Sequence, residues 1–174
     1  MIELETLETI KTRRSIRKFT DQSVKREIIE VLLKAAMQAP SATNEQPWQF
    51  IVIDDKKLLK NIPKFSPYAP TQTASAAILV CADKTLIKLP EYWIQDCSAA
   101  TQNLLLAAHD QGLGAVWTGV INLPGRAEGF RTMLNLPDTI EPLGLVVLGY
   151  PAQSVKPQDR FKRERVHYNK WNGE

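Results

Sequence analysis

A chain of 174 residues that is 44% hydrophobic can bury a sizeable core, and its length suits one domain over residues 1–174, with 151–174 as a C-terminal extension. Its 22 basic and 19 acidic residues leave a net charge of +3, too mild for a nucleic-acid footprint, and no stretch approaches the roughly 18 uninterrupted apolar residues of a membrane span. Cys81 and Cys97 stand among apolar residues without framework spacing, so they read as buried thiols of a reducing, cytoplasmic setting.

Leu4, Leu7 and Ile10 recur at helical spacing and predict a short first helix that ends near a run of arginines. In a second helix Ser23 is placed to cap, Val24, Ile28, Val31, Leu32, Ala35 and Ala36 form one apolar stripe, and Pro40 forbids continuation past Ala39. Residues 49–53 predict a buried strand, and a small surface helix follows from Asp54. Three prolines make the stretch from Pro63 to Thr73 an ordered loop. Residues 76–82 predict a second buried strand. From Tyr92 to Gln111, the residues Ile94, Cys97, Thr101, Leu104, Leu105 and Ala108 repeat at helical spacing and predict a central helix, stopped by Gly112. Residues 115–118 predict a third strand, Pro124 to Leu134 another helix, and 143–150 a fourth strand. The tail from Pro151 is polar and aperiodic, yet it carries Phe161, Val166, Tyr168 and Trp171, more aromatic content than a disordered segment holds.

Two segments carry the chemistry. Arg13, Arg14 and Arg17 surround Ser15 with planar forks of donors that match phosphate oxygens, and Ile16 and Phe19 are apolar anchors that give those forks fixed directions. Between Pro40 and Trp48, Asn44 and Gln46 can each donate and accept hydrogen bonds to a planar heterocycle. Together they imply a nucleotide-like cofactor. Gly112 and Gly114 lack the third glycine of a dinucleotide fingerprint and follow a helix, so they read as a turn. His109 and His167 have no cluster at ligand spacing, which argues against a metal. Neither cysteine has a base partner, so no side chain is assigned a catalytic role.

The segment Arg13 to Phe19, the loop Ser41 to Trp48, the stretch Gly112 to Gly119 and the tail pieces 156–161 and 166–171 resemble, in order and spacing, the FMN-dependent nitroreductase family. The resemblance runs nearly end to end. It implies an α+β fold with a mixed, mainly antiparallel sheet packed between helices, in a homodimer whose C-terminal extension crosses the partner and helps close two FMN sites. It implies phosphate and flavin contacts from Arg13, Arg14 and Arg17, with Arg14 and Ser15 near the ribityl phosphate, Arg17 at the pyrimidine edge, and Arg160 as a second phosphate contact. Pro40, Ser41, Asn44 and Gln46 would reach the flavin, with Pro40 and Ser41 serving the partner's site, and Trp117, Thr118 and Gly119 would bring backbone donors to its N5 edge. The implied reaction takes hydride from NADH or NADPH through flavin N5 to a nitroaromatic, quinone or related small-molecule acceptor, the two substrates using one pocket in turn. Longer family members insert helices where this chain has only a short segment between Asp83 and Tyr92, so the pocket is expected to be open. Dehalogenating members use Tyr, Glu and Lys of an ordered lid; Lys88, Glu91 and Tyr92 fall in that segment and keep a dehalogenase-type reading as an alternative. An FMN sensor or store without turnover is a second alternative, separated by whether NAD(P)H bleaches the flavin. A small RNA-binding protein is a third, which predicts salt-dependent RNA affinity and no yellow colour.

Overall fold

The computed structural model describes residues 5–171. In chain order the elements are α1 (Thr6–Thr12), α2 (Arg26–Ala36), β1 (Trp48–Ile53), α3 (Lys56–Asn61), β2 (Ala76–Asp83), α4 (Trp93–Asp110), β3 (Gly114–Gly119), α5 (Arg126–Leu134) and β4 (Ile140–Gly149), with short 3-10 turns at Ala42–Asn44, Ile62–Lys64 and Arg163–Arg165. The strands form one sheet in the order β1-β2-β4-β3, and every adjacent pair is antiparallel. The parallel component of the expected mixed sheet is reduced, among the described residues, to the isolated bridge between Ser15 and Ala115.

Side-chain alternation along β2 and β4 divides the core between the two faces. Ala76, Ile78, Val80, Ala82, Val146 and Leu148 pack with Leu32 and Ala36 of α2 and with Cys97, Ala100 and Leu104 of α4. Ala77, Leu79, Cys81, Leu145 and Val147 pack on the other side with Leu59 of α3, Ile62 and Phe130 of α5. Both central strands are buried on both faces, which is why they read as unbroken apolar runs rather than as alternating ones. Cys81 and Cys97 lie in this core as expected; Cys97 Sγ donates to the Cys81 carbonyl at 3.6 Å, and burial pushes both thiols up to about 12.

Two expectations change. Ser23 does not cap α2, because the chain stays extended through Lys25, which is the N-cap residue and makes no side-chain cap bond. The approach is fixed by a tertiary contact instead, Val24 N–H donating to Ser75 Oγ at 2.6 Å. The apolar stripe of α1 also faces outward: Thr9 is buried while Leu7 and Ile10 are 67% and 50% exposed, and Leu4 lies outside the described residues. Val31, Met37 and Ile94 are exposed as well. The loop between Pro63 and Thr73 is ordered, with Thr71 Oγ1 donating to the Leu59 carbonyl at 2.7 Å. Among the described residues, no helix is long and apolar enough to cross a membrane.

α4 leaves the end of β2 and returns to the start of β3, on the far side of β4. Its first turn therefore lies at one end of the sheet and its last turn at the other. The arginine segment meets one of those ends and the loop before β1 the other.

Candidate functional site

At the C-terminal end of α4, α1 ends in Thr12 and the chain runs on in an extended conformation from Arg13. Ile16 turns into the core and its N–H donates to the Ala115 carbonyl at 3.0 Å. This approach requires a glycine at the head of β3, since a Cβ on Gly114 would stand 2.6 Å from the Ile16 side chain. Ser15 is half-buried beside the bridge and Arg17 is exposed. The tail passes alongside, with Ala152 N–H donating to the Lys18 carbonyl at 2.9 Å.

The arginines then separate by role. The Arg14 guanidinium donates to the carbonyls of Lys11 at 2.9 Å, Arg13, Lys156 at 3.2 Å and Gln158 at 3.4 Å, so it ties the tail to the end of α1. That strap brings Arg160 to Arg13. Both line a cleft of about 550 Å³ with Arg14, Lys11 and Gln158; Asp159 also lines it, its Oδ1 accepting from Phe161 N–H. Burial first, and then the positive charges of Arg14 and Arg160, weaken the hold of Arg13 on its proton. Like charges gathered in a half-buried place favour an anion between them.

His109 stands on the other side of Arg14, in a neighbouring cleft of about 350 Å³ shared with Thr12 and Gly112. Thr12 Oγ1 gives its proton to the Glu8 carbonyl at 2.6 Å and lies 2.8 Å from His109 Nε2, so the imidazole donates from Nε2. Burial, then Arg13, hold the His109 pKa below its ordinary value, with Asp110 pulling upward and Arg14 downward more weakly.

The second segment sits elsewhere. Asp83 N–H donates to the Pro47 carbonyl at 2.8 Å and Ala42 N–H to Asp96 Oδ1 at 3.0 Å, which fixes the loop of Pro40, Ser41, Asn44 and Gln46 at the N-terminal end of α4. Thirteen residues of helix separate Asp96 from His109, about 20 Å along the axis. Within one chain, then, Arg13, Arg14, Ser15 and Arg160 come together, Pro40, Ser41, Asn44 and Gln46 come together, and the two groups stay apart. Trp117, Thr118 and Gly119 run away from the first group along edge strand β3. The Trp117 indole packs against Gly144, Thr118 Oγ1 donates to the Leu145 carbonyl at 3.3 Å, and the Gly119 carbonyl accepts from Arg126 at 2.8 Å.

The model of the Nitroreductase family matches residues 10–77 and 69–150. The chain belongs to the nitroreductase family. A protein of Methanothermobacter thermautotrophicus provisionally named NADH dehydrogenase/NAD(P)H nitroreductase is 49% identical over 170 residues, covering 97% of this chain and 89% of that one. Among solved structures, the FMN-dependent nitroreductase of Clostridium difficile R20291 superposes with a TM-score of 0.87 at 32% identity, covering 94% of this chain and 99% of that one. A provisionally named nitroreductase of Desulfovibrio desulfuricans, solved in complex with FMN, superposes with a TM-score of 0.82 at 31% identity, covering 97% and 98%.

Two residues of the chain escape the sequence reading. His109 has a signal of its own, a basic side chain in the last turn of the central helix, which a search for metal-ligand spacing passes over. Asp96 had a clearer one: it lies four, eight and twelve residues before Ala100, Leu104 and Ala108, on the buried stripe of α4, where a carboxylate needs a reason.

Proposed function

We propose that this protein is an NAD(P)H-dependent flavin oxidoreductase that holds FMN between two copies of the chain and reduces nitroaromatics, quinones or related acceptors. The observation that carries the reading is the convergence of Arg13 and Arg160 on one cleft with no side-chain ion pair of their own among the described residues, while the amide-bearing loop stands at the far end of α4. Each end is half a flavin site. A second copy, presenting its loop to the first copy's arginines, completes it, and the exposed apolar side chains of α1, α2 and the tail supply a surface for that pairing.

The residues present fit the cofactor. Arg13, Arg160 and the Ser15 hydroxyl would hold the phosphate, Arg14 would position them by strapping the tail, and Arg17, extended into solvent two residues beyond Ser15, would meet negative charge at the pyrimidine edge. Gln46 Nε2 donates to Asn44 Oδ1 at 2.9 Å. One donor group and one acceptor remain free on that pair whichever way the two amides are oriented, the complement of an imide edge. When bound, FMN supplies the redox chemistry, accepting hydride from the nicotinamide and passing reducing equivalents to the acceptor. The turn after β2 is short and held by Asp83 Oδ1 accepting from Thr85 N–H and Oγ1, and a site left open beside it would draw its protons from solvent with no need of an acid or base residue. Reductant and acceptor then take turns at one open pocket. The visible spectrum of the purified protein, before and after anaerobic NADH and NADPH, tests the reading: a yellow protein that bleaches is expected, and a colourless one that takes up no FMN overturns it.

A further inference from the structure

The loop that carries Asn44 and Gln46 is strained. Thr43, Asn44 and Gln46 adopt φ of 48°, 57° and 50°, three left-handed residues in four positions, none of them glycine. For the β-branched Thr43 this is a costly conformation, and such residues persist only where surrounding structure enforces them. Two carboxylates do the enforcing. Asp96, 5% exposed, accepts from Ala42 N–H at 3.0 Å through Oδ1. Glu45 accepts through Oε1 from Thr43 Oγ1 at 3.1 Å and from Leu89 N–H at 3.0 Å, which ties the loop to the segment before α4. Ser41 Oγ accepts from Gln46 N–H at 3.0 Å and closes the turn.

The second oxygens of the same two carboxylates, Asp96 Oδ2 and Glu45 Oε2, are buried without a hydrogen-bond partner among the described residues. Leaving a carboxylate oxygen in that state costs free energy, and a core position four residues from Ala100 would be filled more cheaply by an apolar side chain. The hydrogen bonds that these two carboxylates do make go to the loop and its tether rather than to the core.

We propose that Asp96 and Glu45 are positioning residues that hold the Ser41–Gln46 loop in its left-handed form, so that the free donor and acceptor of the Asn44–Gln46 pair are presented as a rigid edge to FMN. The inference rests on the reading of this loop as the flavin's second wall. Its test titrates FMN into apo-protein of the wild type, Asp96→Ala, Thr43→Gly and the double variant, with sedimentation showing that all share one oligomeric state. Asp96→Ala is expected to weaken FMN binding roughly tenfold, the scale of one hydrogen bond lost from a half-buried donor to a charged acceptor. Adding Thr43→Gly should restore most of that loss, because glycine takes φ of 48° without steric cost and needs no anchor. Asp96→Asn, which keeps an oxygen for Ala42 N–H, should bind nearly as the wild type does.

Unchanged FMN affinity in Asp96→Ala, or a loss that Thr43→Gly leaves untouched, overturns the inference. Should Asp96→Ala fail to fold, Glu45→Ala at its half-buried position carries the same comparison, with the same two outcomes against it. A wild type that takes up no FMN overturns the functional reading and this inference together; a wild type that binds, with variants that are indifferent, overturns this inference alone.

Discussion

Arg13 and Arg14 are adjacent and chemically identical, yet their donors meet different partners, and that difference can be measured. Arg13→Ala removes a guanidinium whose donors face the cleft, so FMN affinity should fall by about 1.5–3 kcal/mol, the range for a hydrogen bond to a charged group. Arg14→Ala should also weaken binding, but through the tail, and limited proteolysis should find residues 156–160 cut faster in Arg14→Ala and unchanged in Arg13→Ala. Equal proteolysis in the two variants would refute the strap. The sequence identified the cluster because three arginines around a serine offer more forks than a helix end needs; it could not say which of those forks the main chain consumes. His109 adds a pH signature. Its folded-state pKa is held below the ordinary 6.5, so below that pH the unfolded chain binds a proton that the folded chain resists, and stability falls as pH drops toward the folded value. Thermal melts of the apo-protein should show this loss, His109→Gln should flatten it, and saturating FMN should shrink it by placing an anion beside Arg13. A pH slope identical in wild type and His109→Gln would count against the assignment.

At the scale of elements, local pattern and tertiary context compete, and the outcome differs from one to the next. β2 and β4 were legible because no polar residue interrupts 76–82 or 143–148, and two-sided burial demands that continuity. The start of α2 was not legible, since Ser23 has the right chemistry for a cap but the bond from Val24 to Ser75 keeps the chain extended past it. Lys25 is left at the N-cap without a side-chain acceptor, which predicts a simple gain: Lys25→Asp should stabilise the protein by about 1 kcal/mol by accepting from an unpaired first-turn N–H and by complementing the helix dipole. A melting temperature raised by roughly 2–4 °C is the expected reading for a chain of this size, and no gain would mean that the exposed first turn is already satisfied by water. The helical spacing of Leu7 and Ile10 matches α1, but the sequence alone does not say which neighbour an apolar face meets. Here it faces away from its own core.

At the scale of the whole molecule, the separation of the two motifs by the length of α4 makes a prediction that no single-chain site can share. If each flavin lies between the arginines of one copy and the loop of the other, an Arg13→Ala chain has two sites that lack the phosphate grip, and an Asn44→Ala, Gln46→Ala chain has two sites that lack the amide wall. Neither homodimer should bind FMN well. In a mixed dimer, however, the defects fall together at one interface site and leave the other with wild-type arginines and a wild-type loop, since a two-fold interface uses the same patch of each subunit twice. Mild unfolding and refolding of the two variants together, followed by FMN titration, should therefore recover a class of tight sites that neither variant shows alone, and NADH or NADPH should bleach them. Recovery would also account for the exposure of Phe161, Tyr168 and Trp171, since a tail strapped to Arg14 would then have the other copy to dock on. If mixing recovers nothing while each variant remains dimeric by sedimentation, both halves of the site belong to one chain, and the loop must cross about 20 Å by a rearrangement that α4 and the Asp96 anchor would have to permit.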